Sequence, residues 1–320
     1  MGNSPEPDLP PVAADCAHKG TGRGGVKAVE GGSGGAAPPL ARRCVSFRHT
    51  PVLQARHLRA MPYLRALAFA LAMSAAFVFV VPVQALARRR GWALQHRIQT
   101  GFCRAICAII GIRVAATGAL PALAPRFVVA NHVSWTDIIA LASLHPFVFL
   151  AKSEVAKWPA LGFLAKLQGT VFVNRGARGE IPRVNAALGD VLRKGRDLVI
   201  FPEGTSSDGA NVLRFNPAHF DALEKYDGEA AIAPVAILYA DSEGPIDVGW
   251  YGEMTFLPHL WDLMKRGGAR CHITFGEPVD LRGKDRKALA IETETRVRNM
   301  LSAARGDQAA RRSVPLKYSM

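Results

Sequence analysis

Residues 127–137 read FVVANHVSWTD, an apolar run that stops at Asn131-His132 and gives way to Ser134, Thr136 and Asp137. Four apolar residues closed off by polar ones suit a strand buried on both faces, and Ser134 suits the N-cap of a helix that follows. The same unit recurs down the chain. Segments 147–151, 170–173, 198–201, 233–238 and 271–275 are predicted strands, and 137–144, 159–166, 181–193, 218–226 and 285–301 are predicted helices. Short strands alternating with amphipathic helices predict an α/β fold with a largely buried sheet.

Upstream the composition changes twice. Residues 1–60 are rich in Gly, Pro and Ala, carry GGSGG at 31–35, and are expected to form a disordered leader. Residues 61–115 are expected to form a membrane-associated helical segment, because 66–86 (ALAFALAMSAAFVFVVPVQAL) contain no charge over roughly the 20 residues that cross a hydrocarbon core. Its abrupt onset also makes Met61 an alternative start. Residues 116–305 are then the folded domain, and 306–320 a flexible tail.

The charge follows this division. The chain of 320 residues has 40 Lys+Arg and 26 Asp+Glu, a net of +14. Residues 31–136 hold 13 arginines and no Asp or Glu, whereas 137–320 hold 24 Lys+Arg against 22 Asp+Glu. A nearly neutral domain with cations bracketing an apolar run argues for an anionic membrane surface as partner and against nucleic acid. Five scattered cysteines carry no disulfide framework, and Cys103 and Cys107 lack the second pair that a metal site would need.

Two blocks contain groups suited to chemistry. His132 and Asp137 are five residues apart. On one continuous helix that spacing turns the side chains away from each other, but a loop histidine and a first-turn aspartate can meet. The carboxylate then takes one imidazole nitrogen and leaves the other as a base. In the second block, LVIFPEGTSSDG at 198–209, a buried strand runs into Glu203, Gly204, Thr205 and two serines. Glu203 can accept from a substrate hydroxyl, Gly204 lets a ligand approach the backbone, and Thr205 can donate to an anion. Taken alone, an N-capped helix and a strand-to-turn exit describe these two strings equally well.

The order and spacing of HVSWTD, VFVNR at 171–175, FPEGT at 201–205 and APVAI at 233–237, behind an apolar segment, resemble the motif set of the lysophosphatidic acid acyltransferase family over roughly 118–300. That resemblance implies a mixed sheet flanked by helices. It also implies transfer of a fatty acyl group from an acyl carrier protein or coenzyme A thioester to a lysolipid hydroxyl, without metal or redox cofactor. In that scheme His132 is the general base and Asp137 orients it, with backbone N–H groups near Ser134 as candidate oxyanion donors. Glu203, Gly204 and Thr205 fall at the acceptor's glycerol-like part, with Arg175, Lys152 and Asn131 as further substrate contacts. The implied location is the cytoplasmic face of the inner membrane.

One position departs from the pattern. Where the family commonly has an arginine after FPEGT, this chain has Ser206, and a hydroxyl does not replace a bidentate guanidinium clamp on phosphate. The expected acceptor is lysophosphatidic acid, and the TSSDG variant makes a lyso-ornithine lipid, which lacks phosphate, the alternative. A catalytically silent membrane-anchored homologue is the reading outside enzymes.

Overall fold

The computed structural model describes residues 45–46, 62–174, 176–224, 226, 228–240 and 248–313. The leader expected over 1–60 lies outside these, apart from Val45–Ser46, which pair antiparallel with Ala119–Leu120. The apolar runs form the six predicted strands, and one further strand precedes them in the same sheet. In chain order they are β1 (Ile112–Thr117), β2 (Arg126–Ala130), β3 (Val148–Lys152), β4 (Val171–Val173), β5 (Leu198–Ile200), β6 (Ala231–Ala240) and β7 (Ala269–Phe275). They make one sheet in the order β1-β7-β6-β2-β5-β3-β4, parallel throughout except for the antiparallel β6–β7 pair. The sheet is therefore mixed, and the parallel crossovers place helices on both faces.

β2 is central and buried along its whole length. Its side chains alternate between two cores, as a period of two requires. Val128 and Ala130 join a cluster under α2 (Leu94–Ile110), α3 (Thr136–Leu144) and α6 (Phe256–Arg266). Phe127 and Val129 join the cluster on the opposite face under α5 (Ile181–Arg193) and α7 (Arg286–Ser313). α4 (Leu161–Gln168) follows a short 3₁₀ turn after β3.

The differences from expectation have local causes. β1 is an extra strand that begins inside the segment expected at the membrane and runs past its end, where IRVAAT is too polar and small-residued to read as buried. α6 is an extra helix whose Pro258 reads as a breaker but sits in the first turn, where its missing N–H costs nothing. The helix predicted at 218–226 is shorter, reduced to a 3₁₀ turn at Pro217–His219 and one turn at Asp221–Glu224. The last helix runs on to Ser313, past the point where a flexible tail is expected.

The uncharged segment forms a continuous helix, α1 (Pro62–Arg89), the one helix among the described residues long and apolar enough to cross a membrane. It contains a π turn at Ala76–Val80, where Val81 N–H reaches back to Ala76 O just before Pro82, which has no N–H to give. Tyr63, Leu67, Leu71, Val78 and Phe79 are each more than half exposed. Such a stripe suits a nonpolar phase. The arginines around it do not all face outward. Arg65 is buried and donates to Met264 O and Gly267 O at 3.4 and 3.1 Å, capping the C-terminal end of α6. Arg126 is buried against Asp197 at 2.8 Å, and Arg104 donates to Ser143 O at 2.7 Å. α2 packs with Gln99, Cys103, Ile106, Cys107 and Ile110 inward, as a core helix does. Burial pushes the Cys103 thiol up to about 12 and the Cys107 thiol higher still, which suits packing rather than metal ligation.

Candidate active site

β2 ends at Ala130, opposite Val235 of β6. The next residue continues the pairing with its side chain: Asn131 accepts from Ile237 N–H at 2.7 Å and donates to Ile237 O at 3.0 Å. With both amide atoms engaged and 2% of its surface exposed, Asn131 holds the sheet together rather than facing a ligand. The chain then leaves the sheet with His132, and α3 starts four residues on, with Asp137 in its first turn.

Asp137 is fully buried and gathers the loop around itself. Oδ2 accepts from His132 Nδ1 at 2.8 Å, from Val133 N–H at 2.7 Å and from Ser134 N–H at 3.0 Å. Oδ1 accepts from the Tyr239 hydroxyl at 2.8 Å, and Tyr239 in turn takes the Thr136 hydroxyl at 2.8 Å. A carboxylate at a helix N-terminus accepting from several donors is well placed on electrostatic grounds. Its donors fix the histidine tautomer: Nδ1 carries the proton, so Nε2 has a free lone pair. Nε2 makes no hydrogen bond among the described residues. Oxyanion donors are expected among the backbone N–H groups near Ser134, and two of these, on Val133 and Ser134, are occupied by Asp137.

The second block meets the first because β5 lies beside β2, pairing Val129 with Ile200, so both blocks leave the same end of the sheet. Phe201 stacks on the His132 ring at 4.2 Å and 16°. Ser207 donates to His132 O through its N–H at 3.0 Å and its hydroxyl at 3.2 Å. Glu203 accepts His132 N–H on Oε1 at 3.2 Å, while Oε2 is closed off without a partner among the described residues. Burial, opposed by that N–H bond and reinforced by the Asp137 charge, pushes the Glu203 carboxyl up to about 8. Gly204 takes φ +74°, the left-handed conformation that this turn requires and that glycine adopts freely.

A cavity of about 450 Å³ opens against His132. Phe69 and Met73 of α1, Phe102 and Ile106 of α2, and Ile138 and Ile139 of α3 line it, so the apolar helix supplies part of its wall. Thr205, Ser206 and Lys152 also line it. Lys152 is half exposed and 3.4 Å from Glu154. No arginine lines the cavity among the described residues, and Arg214 is exposed. Arg175 lies outside the described residues.

Sequence reasoning missed three residues. Tyr239 holds Asp137, and its hydroxyl in an otherwise apolar, wholly buried strand was the available signal. Trp250 takes the Ser206 hydroxyl on its carbonyl oxygen and gives its N–H to Val133 O at 3.0 Å, crossing between the two blocks. Arg305, late in α7, donates to Ala210 O at 2.6 Å and to Gly209 O, tying down the TSSDG turn. Neither of the last two has a local signature.

The site thus places an oriented histidine at the C-terminal ends of parallel strands, beside a largely apolar cavity. Residues 111–238 match the family described as Acyltransferase. A lyso-ornithine lipid O-acyltransferase of Brucella abortus is 37% identical over 249 residues, covering 73% of this chain and 92% of that one. A 1-acyl-sn-glycerol-3-phosphate acyltransferase of Neisseria meningitidis is 33% identical over 177 residues, covering 55% and 69%. The crystal structure of the 1-acyl-sn-glycerophosphate acyltransferase PlsC of Thermotoga maritima superimposes with a TM-score of 0.51 at 20% identity, over 77% of this chain and 98% of that one, a likeness of fold. The chain belongs to this acyltransferase family and is an O-acyltransferase.

Proposed function

We propose that the enzyme moves a fatty acyl group from an acyl carrier protein or coenzyme A thioester to the free hydroxyl of a lysolipid, with His132 as general base. The observation that carries this reading is the 2.8 Å His132–Asp137 bond, which leaves Nε2 as a base beside an apolar cavity. Nε2 takes the hydroxyl proton as the oxygen attacks the thioester carbonyl. Asp137 steadies the imidazolium, and collapse of the tetrahedral intermediate expels the thiolate, which recovers the proton. The nucleophile belongs to the acceptor, so no acyl-enzyme forms. The cavity accommodates the acyl chain. α1 and the exposed arginines hold the enzyme on the cytoplasmic face of the inner membrane, where the thioester is available.

The acceptor we propose is a lyso-ornithine lipid in preference to lysophosphatidic acid. Ser206 stands where a phosphate clamp would need a guanidinium, and its hydroxyl is engaged with Trp250. Four relatives at 35–39% identity carry the name lyso-ornithine lipid O-acyltransferase and point the same way. The test offers both lysolipids side by side with one acyl thioester. Faster transfer to the lyso-ornithine lipid is expected, and preference for lysophosphatidic acid would overturn the assignment.

A further inference from the structure

His259, on the first turns of α6, uses both ring nitrogens in a way that links the two walls of the cavity. The Trp135 indole N–H donates to His259 Nδ1 at 3.0 Å, and His259 Nε2 donates to Gly249 O at 3.1 Å. An indole only donates, so Nδ1 must be the bare nitrogen and Nε2 the protonated one. Trp135 is two residues from Asp137, and Gly249 precedes Trp250, whose N–H donates to Val133 O at 3.0 Å. The imidazole thus completes a ring of hydrogen bonds that begins and ends in the block carrying His132.

The same contacts fix an aromatic wall. Trp135 packs on Phe256 at 4.9 Å, Phe256 on Trp158 at 5.5 Å, and Trp158 on Trp250 at 5.9 Å. All four rings line the cavity. On its far side His259 borders a separate, smaller cavity of about 150 Å³ together with Asp262 and Arg266, so it stands behind the wall rather than in the acyl space. Without it, the Trp135 N–H and the Gly249 carbonyl each lose the partner that sets their position.

We infer that His259 is a positioning residue that holds the aromatic wall of the acyl cavity in place, and with it the fit on which the enzyme's choice of acyl chain length depends. This rests on the reading of the cavity as the acyl-chain site. One methylene in a well-fitted hydrophobic pocket is discriminated by roughly 10–200-fold, and a wall free to shift lowers that ratio.

The full-length enzyme is assayed with a ladder of saturated acyl thioesters and one lysolipid. In His259→Phe, the ratio of kcat/KM between the preferred chain and the next longer one is expected to fall about tenfold, with kcat on the preferred donor changed less than about threefold. His259→Gln, which keeps one acceptor and one donor, restores most of the selectivity. Where His259→Phe fails to fold, His259→Leu takes its place: it lacks both hydrogen-bonding groups, is expected to flatten the ladder as His259→Phe does, and leaves every cavity-lining residue unchanged. A loss equal at every chain length, or an unchanged ladder, overturns the inference. A wild-type enzyme inert to lysolipids removes the functional reading and this inference with it, whereas an active wild type with an unaltered ladder in the variants removes this inference alone.

Discussion

The two blocks that meet at the end of the sheet are finished to different degrees. In 131–137, the polar groups that leave the sheet are matched inside the protein: the Asn131 amide against Ile237, and the Asp137 carboxylate against His132, two backbone N–H groups and Tyr239. In 201–209, Glu203 keeps a closed-off oxygen without a partner, and Thr205 faces the cavity. A matched network holds geometry, and a buried polar group without a partner costs stability. The first block is thus satisfied internally, whereas the second keeps one buried carboxyl oxygen unmatched in a turn that Ser207 and Arg305 hold in place.

Substitutions separate the two blocks. Asp137→Asn breaks the matched block at its centre and is expected to lower kcat by about 10³–10⁴-fold, because the imidazole loses its tautomer and its counter-charge. Steady-state kinetics on a folded variant measures this. Tyr239→Phe strands one Asp137 oxygen and the Thr136 hydroxyl, and about 1–3 kcal/mol of stability should be lost with roughly tenfold in kcat, read by denaturant unfolding beside turnover. Thr136→Val in the same background should add less than its separate effect, since both hydroxyls serve one network.

In the second block the expected effect is on pH dependence. Glu203 ionises near 4.5 when unfolded and only at about 8 when folded, so its contribution to stability is complete below the lower value and disappears as pH rises to the upper one. Glu203→Gln should therefore flatten the decline of melting temperature between those limits. A variant that declines as the wild type does would show that the carboxyl is not held neutral. Lys152→Gln, at an exposed pair, should change the melting free energy by less than about 0.5 kcal/mol and act only on acceptor KM.

Much of this fold is legible in the chain. Six strands follow from apolar runs bounded by turn residues, and 181–193 is a helix at the expected bounds. β1 and α6 escape because an edge strand needs little hydrophobicity and a first-turn proline looks like a stop. The His132–Asp137 pairing is readable as a spacing, since one loop and one helix turn decide it. Glu203 against His132 N–H is not, because only the β2–β5 pairing carries it across 71 positions of chain. Charge counting fails for a related reason. Arg65 and Arg126 belong to an acid-free stretch, yet one caps a helix and the other pairs with Asp197 far along the chain.

The proposed chemistry depends on one nitrogen. Purified His132→Ala, compared with wild type for acyl transfer to a lyso-ornithine lipid, tests it most directly. The expected result is a fall of about 10³-fold or more with melting temperature and membrane partition unchanged. Turnover within tenfold of wild type would show that another group takes the proton, and would contradict the mechanism.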